Sequence, residues 1–131
     1  MVQTAQQAAF RLLQKHYYAN LTTFRKNGEM IQTPVWFAER DDRIYIMTPM
    51  GSGKAKRVRN NGKVLIGPAD ISGRPLGATI EAQARLLSDA EEMKIAYHAL
   101  EEKYGLFKAV IDFIGTVSGI ERAYIEVTAA G

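Results

Sequence analysis

No cysteine occurs in this chain of 131 residues. Disulfides, thiol nucleophiles and zinc sites built on thiolates are therefore excluded, and stability is left to core packing, helix caps and association between subunits. Histidine is nearly as scarce: His16 and His98 stand far apart, with no histidine–acid spacing that would suit a metal, and both read as structural or solvent-facing. Long apolar runs are missing, and the chain opens on a polar, Gln-rich stretch. Neither membrane insertion nor export is expected from that pattern, so a cytoplasmic protein is. Repeats, linkers and Ser-, Gln- or Pro-rich tracts are also lacking, so residues 1–131 are expected to form a single domain.

What is present is ordinary in amount and uneven in placement. Hydrophobic residues make up 47% and charged residues 24%, enough for one substantial core. The net charge is only +3, yet residues 1–66 hold eleven Lys or Arg against four acids, while residues 67–131 hold six against ten. A basic half of this kind seeks an anion: a phosphorylated cofactor, nucleic acid or an acidic surface.

The hydrophobic periodicity begins as a helix over Thr4–His16, with Ala5, Ala8, Ala9, Leu12 and Leu13 at three-four spacing. Strands follow at Tyr17–Arg25 and Met30–Glu39, and Asn27-Gly28 between them predicts a hairpin with a type I′ turn. Pro34 cannot donate to a ladder, so the second strand is expected to have an edge or bulge there. A third strand spans Arg43–Thr48 after Asp41-Asp42. A short basic helix covers Lys54–Asn60, and a fourth strand, Lys63–Asp70, reads as buried on both faces. Thr79–Leu87 alternates without a fault and is the fifth strand. Ser88–Glu91 reads as a capping box for a helix whose inward face is Met93, Ala96, Tyr97, Leu100 and Tyr104. A second short helix is expected at Phe107–Ile114, and a sixth strand at Arg122–Thr128. Consecutive antiparallel strands with helices gathered at one side point to a mainly β fold, a small barrel rather than a βαβ sheet.

The strongest local feature is the stretch from Thr48 to Arg59, in which Ser52 lies between Gly51 and Gly53 and leads into a helix carrying Lys54, Lys56, Arg57 and Arg59. Glycines allow backbone N–H groups close to an anion, a helix N-terminus adds its positive end, and the cations supply charge-assisted hydrogen bonds. Phosphate binding follows from that combination. A solvated basic surface is the plainer alternative. A Walker A loop is not: Thr48 stands where its first glycine belongs, and Ala55 replaces the hydroxyl residue that holds magnesium. Ser52 has no evident histidine partner for nucleophilic catalysis. Trp36, the single tryptophan, serves either as core or interface filling or as a stacking platform.

Four ordered segments together carry a family resemblance: Tyr18–Thr23, Thr33–Ala38, Gly51–Arg57 and Gly73–Gly77. Through them the chain resembles the pyridoxamine-phosphate-oxidase-like split-barrel superfamily, in particular its small flavin- and deazaflavin-dependent oxidoreductases. The resemblance implies a six-stranded antiparallel split β-barrel, with a leading helix, the short basic helix and a helical pair before the last strand. It also implies a homodimer with cofactors in grooves at the interface. Thr33, Pro34, Val35 and Trp36 would line the cofactor ring, and Thr48, Ser52, Gly53, Lys54, Lys56 and Arg57 would hold its phosphate. Oxidase members have an Arg-Lys pair where this chain has Gly53-Lys54, so pyridoxamine phosphate oxidation itself is not expected. FMN or a deazaflavin coenzyme is implied instead, and the likeness leans toward the deazaflavin, for whose acidic tail Arg59 and Lys63 would add cations. No catalytic side chain is implied, because the cofactor would carry the hydride to a small-molecule acceptor. A flavin or tetrapyrrole carrier without turnover is the alternative. Nucleic-acid binding is disfavoured, because the cations gather in one glycine-flanked loop and helix instead of along a strand face.

Overall fold

Pro34 and Trp36 decide how the sheet closes. In the computed structural model, which describes residues 5–105 and 122–130 apart from the side chain of Gln6, the expected strand Met30–Glu39 is two strands. β1 (Tyr18–Phe24) pairs antiparallel with β2 (Met30–Val35), and β3 (Phe37–Arg40) pairs instead with β4 (Arg43–Pro49). Only Trp36 lies between β2 and β3, yet these are the two ends of the strand order β2, β1, β5 (Lys63–Ala69), β6 (Ile80–Leu86), β7 (Arg122–Ala129), β4, β3. The chain thus steps from one edge of the sheet to the other at a single residue and curls the sheet into a split barrel. The strands number seven among the described residues, not six, and Pro34 sits on an edge strand, where its missing N–H costs no ladder bond.

The remaining elements lie near their expected places. α1 is Ala5–Leu13, α2 is Gly53–Asn60, β5 is Lys63–Ala69, β6 is Ile80–Leu86, α3 is Ala90–Lys103 and β7 is Arg122–Ala129. β6 alternates as read, with Ala82 and Ala84 buried and Glu81, Gln83 and Arg85 exposed. The second short helix expected at Phe107–Ile114 lies outside the described residues.

Three local readings change. The type I′ geometry, with positive φ at both central residues, belongs to Asp41 (53°) and Asp42 (65°), which join β3 to β4. At Asn27-Gly28 only the glycine has positive φ, and the Asn27 side chain instead accepts a hydrogen bond from the Glu29 N–H. The cap of α3 is Asp89, not Ser88: its carboxylate accepts from the Glu92 N–H at 3.0 Å. The run Ser-Asp-Ala-Glu-Glu holds two overlapping cap frames, and the helix uses the later one. In α1 the residues turned inward are Phe10 and Leu13, whereas Leu12 is exposed.

The core has two parts. Inside the barrel, Leu21, Phe37, Ile44, Ile46, Ile66, Ile125 and Val127 pack together, with Phe10 and Leu13 of α1 and Val58 of α2 among them. Outside it, α3 lays Ala96, Ala99, Leu100 and Tyr104 against Ala38, Tyr45 and Tyr124, the outward residues of β3, β4 and β7. A buried carboxylate secures that second layer. Glu126 of β7 accepts from Arg85 Nε at 3.0 Å and lies 3.5 Å from both Arg43 and the Tyr45 hydroxyl, while Arg85 also pairs with Glu92 in the first turn of α3. Each charge has a partner, which is the condition under which a buried carboxylate is tolerated.

Candidate functional site

The barrel opens beside the β2–β3 break into a cleft of about 260 Å³. Pro34, Val35 and Trp36 form one wall because the chain changes ladders there and leaves this stretch without a continuous partner strand. Thr48 and Pro49 at the end of β4 form the next, and Lys54 closes that side from the first turn of α2. Tyr18, Met47, Ile71 and Leu100 add to the lining from β1, β4, the loop after β5 and α3.

Ser52 organises the phosphate-like end. Its hydroxyl oxygen accepts from the Ala55 N–H at 3.2 Å, capping α2, and from the buried Thr48 hydroxyl at 3.0 Å, which ties the helix start to the end of β4. Helix geometry leaves the Gly53 and Lys54 N–H groups without intrahelical acceptors, and neither has a hydrogen-bond partner among the described residues. Gly53 also makes room for a cation. A Cβ at that position would stand 2.6 Å from Arg57 Nη1, so the guanidinium folds back over the helix start only because no side chain is there. Arg57 is held by its Nε, which donates to the Thr23 hydroxyl on β1 at 2.6 Å.

Lys54 is half-buried in the cleft with no ion pair among the described residues. Burial pushes its amine below the usual lysine range, and repulsion from Arg57 adds to the effect. Arg57 is lowered in turn by burial and by Arg25. Two cations are therefore held together and partly desolvated with no carboxylate paired to them among the described residues, an arrangement that favours an incoming anion. The helix turn places Lys56 and Arg59 away from this face, and both are exposed. Lys63 is also exposed, over the ring of Phe24.

Of the residues singled out from the sequence, Pro34, Val35, Trp36, Thr48 and Lys54 line the cleft. Ser52, Gly53 and Arg57 stand behind Lys54 as cap, gap and second cation. Thr33 is half-buried on β2 and lines none of the cleft, and neither does Lys56. The sequence reading passed over Ile71 and Leu100. Leu100 read as helix core, and Ile71 is a lone apolar residue in a polar turn, a signal that could have been noticed. That turn is preformed: Asp70 accepts from the Ser72 and Arg74 N–H groups, and Asn20 Nδ2 donates to the Gly73 carbonyl at 2.7 Å.

The barrel has known counterparts. The family model for pyridoxamine 5'-phosphate oxidase matches residues 5–127. The chain belongs to that family. Among solved structures, a conserved hypothetical protein from Mycobacterium tuberculosis superposes with a TM-score of 0.71 at 18% identity, over 100% of this chain and 83% of the other. An FAD-binding protein from Mesorhizobium loti gives 0.68 at 17% identity, over 98% and 91%. A heme-binding protein from Mycobacterium smegmatis gives 0.65 at 12% identity, over 98% of this chain and 52% of the other. At such identities these likenesses establish the shared fold and no more. No curated protein matches the chain in sequence. Membership in the pyridoxamine 5'-phosphate oxidase family accounts for the split barrel; what occupies the cleft has to be argued from its residues.

Proposed function

We propose that this protein is a cytoplasmic homodimeric oxidoreductase that binds a flavin-type coenzyme, FMN or a deazaflavin, and passes a hydride to a small-molecule acceptor. The observation that carries the reading is Lys54, a half-buried cation with no ion pair among the described residues, in the same cleft as Trp36. One end of the cleft thus offers positive charge and backbone N–H groups, while the other offers ring faces and an aliphatic wall. A coenzyme with a phosphate at one end and a planar ring system at the other matches both.

Lys54, Arg57 and the first N–H groups of α2 would hold the phosphate, with Ser52 and Thr48 fixing the helix start. Each charge-assisted hydrogen bond is worth about 1.5–3 kcal/mol, so three approach the roughly 8 kcal/mol of micromolar binding. Lys56, exposed on the other side of α2, would add only to the longer-range field. Pro34, Val35 and Trp36 would lie along the ring system, with Thr33 supporting the strand behind them. Hydride transfer is the chemistry such a coenzyme supplies when bound; the chain's part is to orient the ring, exclude water from it and hold positive charge near the phosphate. The cleft of one subunit, about 260 Å³, falls below the roughly 300–1,000 Å³ of cofactor-sized pockets. That shortfall supports a second copy closing over the exposed Ile71 and Met50.

The test is turnover. Protein loaded with either coenzyme in its reduced form is expected to reoxidise it faster with an added small acceptor than the free coenzyme does, and to sediment as a dimer. Tight binding without acceleration of any acceptor would make it a carrier instead.

A further inference from the structure

Beside the cleft lies a second recess of about 160 Å³ whose lining, among the described residues, is aromatic: Tyr17, Tyr18, Trp36 and Tyr104. It shares Tyr18 and Trp36 with the cleft, so the two are neighbours across these rings. The rings are set before any ligand arrives. Tyr104, at the end of α3, is buried; its hydroxyl accepts from the Phe37 N–H at 3.1 Å and lies 2.7 Å from the Tyr17 carbonyl, to which it can donate. Trp36 stacks on that ring at 5.7 Å and 25°, and Tyr17 and Tyr18 are tilted against the pair at 6.1 and 6.4 Å. Tyr17, more than half exposed, stands at the mouth.

Size and charge narrow what the recess can take. An apolar cavity of roughly 150 Å³ holds one benzene ring, and ring walls favour offset or edge-on contact with another ring. An organic cation is the other guest of aromatic boxes. Here, however, no carboxylate lines the recess among the described residues, Lys54 stands in the adjoining cleft and the Lys103 amine lies 5.5 Å from the Tyr104 ring. We infer that this recess is the acceptor subsite and takes an uncharged, single aromatic ring of the substrate beside the coenzyme, an assignment that rests on the cofactor reading above.

Trp36 is the only tryptophan, so its fluorescence reports both cavities, and Tyr17, which lines only the recess, tells them apart. Titration with benzyl alcohol is expected to give a saturable change with a midpoint of about 1 mM. Cyclohexylmethanol and tetramethylammonium are expected to bind at least ~5-fold more weakly, and Tyr17→Ala to weaken benzyl alcohol by a similar factor while Tyr17→Phe retains it. No saturable change, equal binding of cyclohexylmethanol, tighter binding of tetramethylammonium, or displacement of benzyl alcohol by FMN would each overturn the assignment. If FMN or the deazaflavin binds and benzyl alcohol does not, the recess assignment fails and the cofactor reading stands. If benzyl alcohol binds and neither coenzyme does, the cofactor reading fails and the recess remains an aromatic-ring site without an acceptor role.

Discussion

Replacing Lys54 by alanine is expected to weaken binding of FMN or the deazaflavin coenzyme at least tenfold, about 1.4 kcal/mol, without destabilising the apo-protein. The two halves of this expectation have one cause. Lys54 sits partly desolvated beside another cation and has no ion pair among the described residues, so its charge opposes folding in the absence of a ligand. When a phosphate arrives, the same charge becomes the partner that the anion lacks in water. Thermal unfolding of the apo-variant should therefore give a Tm equal to or above that of the parent chain, while quenching of coenzyme fluorescence shows the lost affinity. Lys56→Ala is the internal comparison: exposed and turned away from the cleft, it should change affinity by less than ~3-fold. Equal losses from the two variants would show that only general positive charge matters.

The second large effect concerns Lys103, near the end of α3. Its Nζ is buried without a hydrogen-bond partner among the described residues, 3.6 Å from the centre of the Phe37 ring. Burial pushes the amine down from its ordinary 10.5 to about 7, against a smaller opposite pull from Glu39. The unfolded chain thus binds the proton more tightly than the folded one. The cost of the charge is fully present below about pH 7 and is relieved as pH rises toward 10.5. Stability should accordingly climb between pH 7 and about 9.5, with Lys54 adding to the slope in the same direction. Above that range the raised Tyr104 hydroxyl reverses the trend, because the folded state then holds the proton longer. Lys103→Met is expected to stabilise the protein at pH 6 by about 1–3 kcal/mol, a figure discounted for the partial exposure of the side chain and the lost ring contact. It should also flatten most of the slope. Urea unfolding at pH 6 and pH 9 measures both effects, and an unchanged slope in the variant would assign the pH dependence elsewhere.

Much of this architecture is legible in the residues, and what is not has identifiable causes. The alternation of β6 and the serine-to-helix transition at Ser52 are local patterns, and local patterns read correctly. The division of Met30–Glu39 was not legible, because a strand that changes partners keeps its alternation on both sides of the change. Only the pairing of Ala19 with Val35 and of Phe37 with Ile46 reveals that Trp36 lies between two ladders. The turn at Asn27-Gly28 differs from its reading because the connection between β1 and β2 is longer than the two residues of a type I′ turn, whereas Asp41-Asp42 alone joins β3 to β4. At the site, Lys54 was visible as a motif, whereas Leu100 reaches the cleft only because α3 crosses the outside of the barrel. Lys103 carries no such signal in the sequence. Its environment is made by Phe37, from the other side of the fold.

The account stands on the phosphate end of the cleft, and comparing FMN with riboflavin on the native protein tests it most directly. The two ligands share their ring system and differ by the phosphate, so the difference in affinity isolates the contribution of Lys54, Arg57 and the start of α2. FMN should bind at least ~100-fold more tightly than riboflavin, as two charge-assisted contacts require, and the difference should shrink in Lys54→Ala. Equal affinities, or no binding of FMN, riboflavin or the deazaflavin coenzyme, would contradict it.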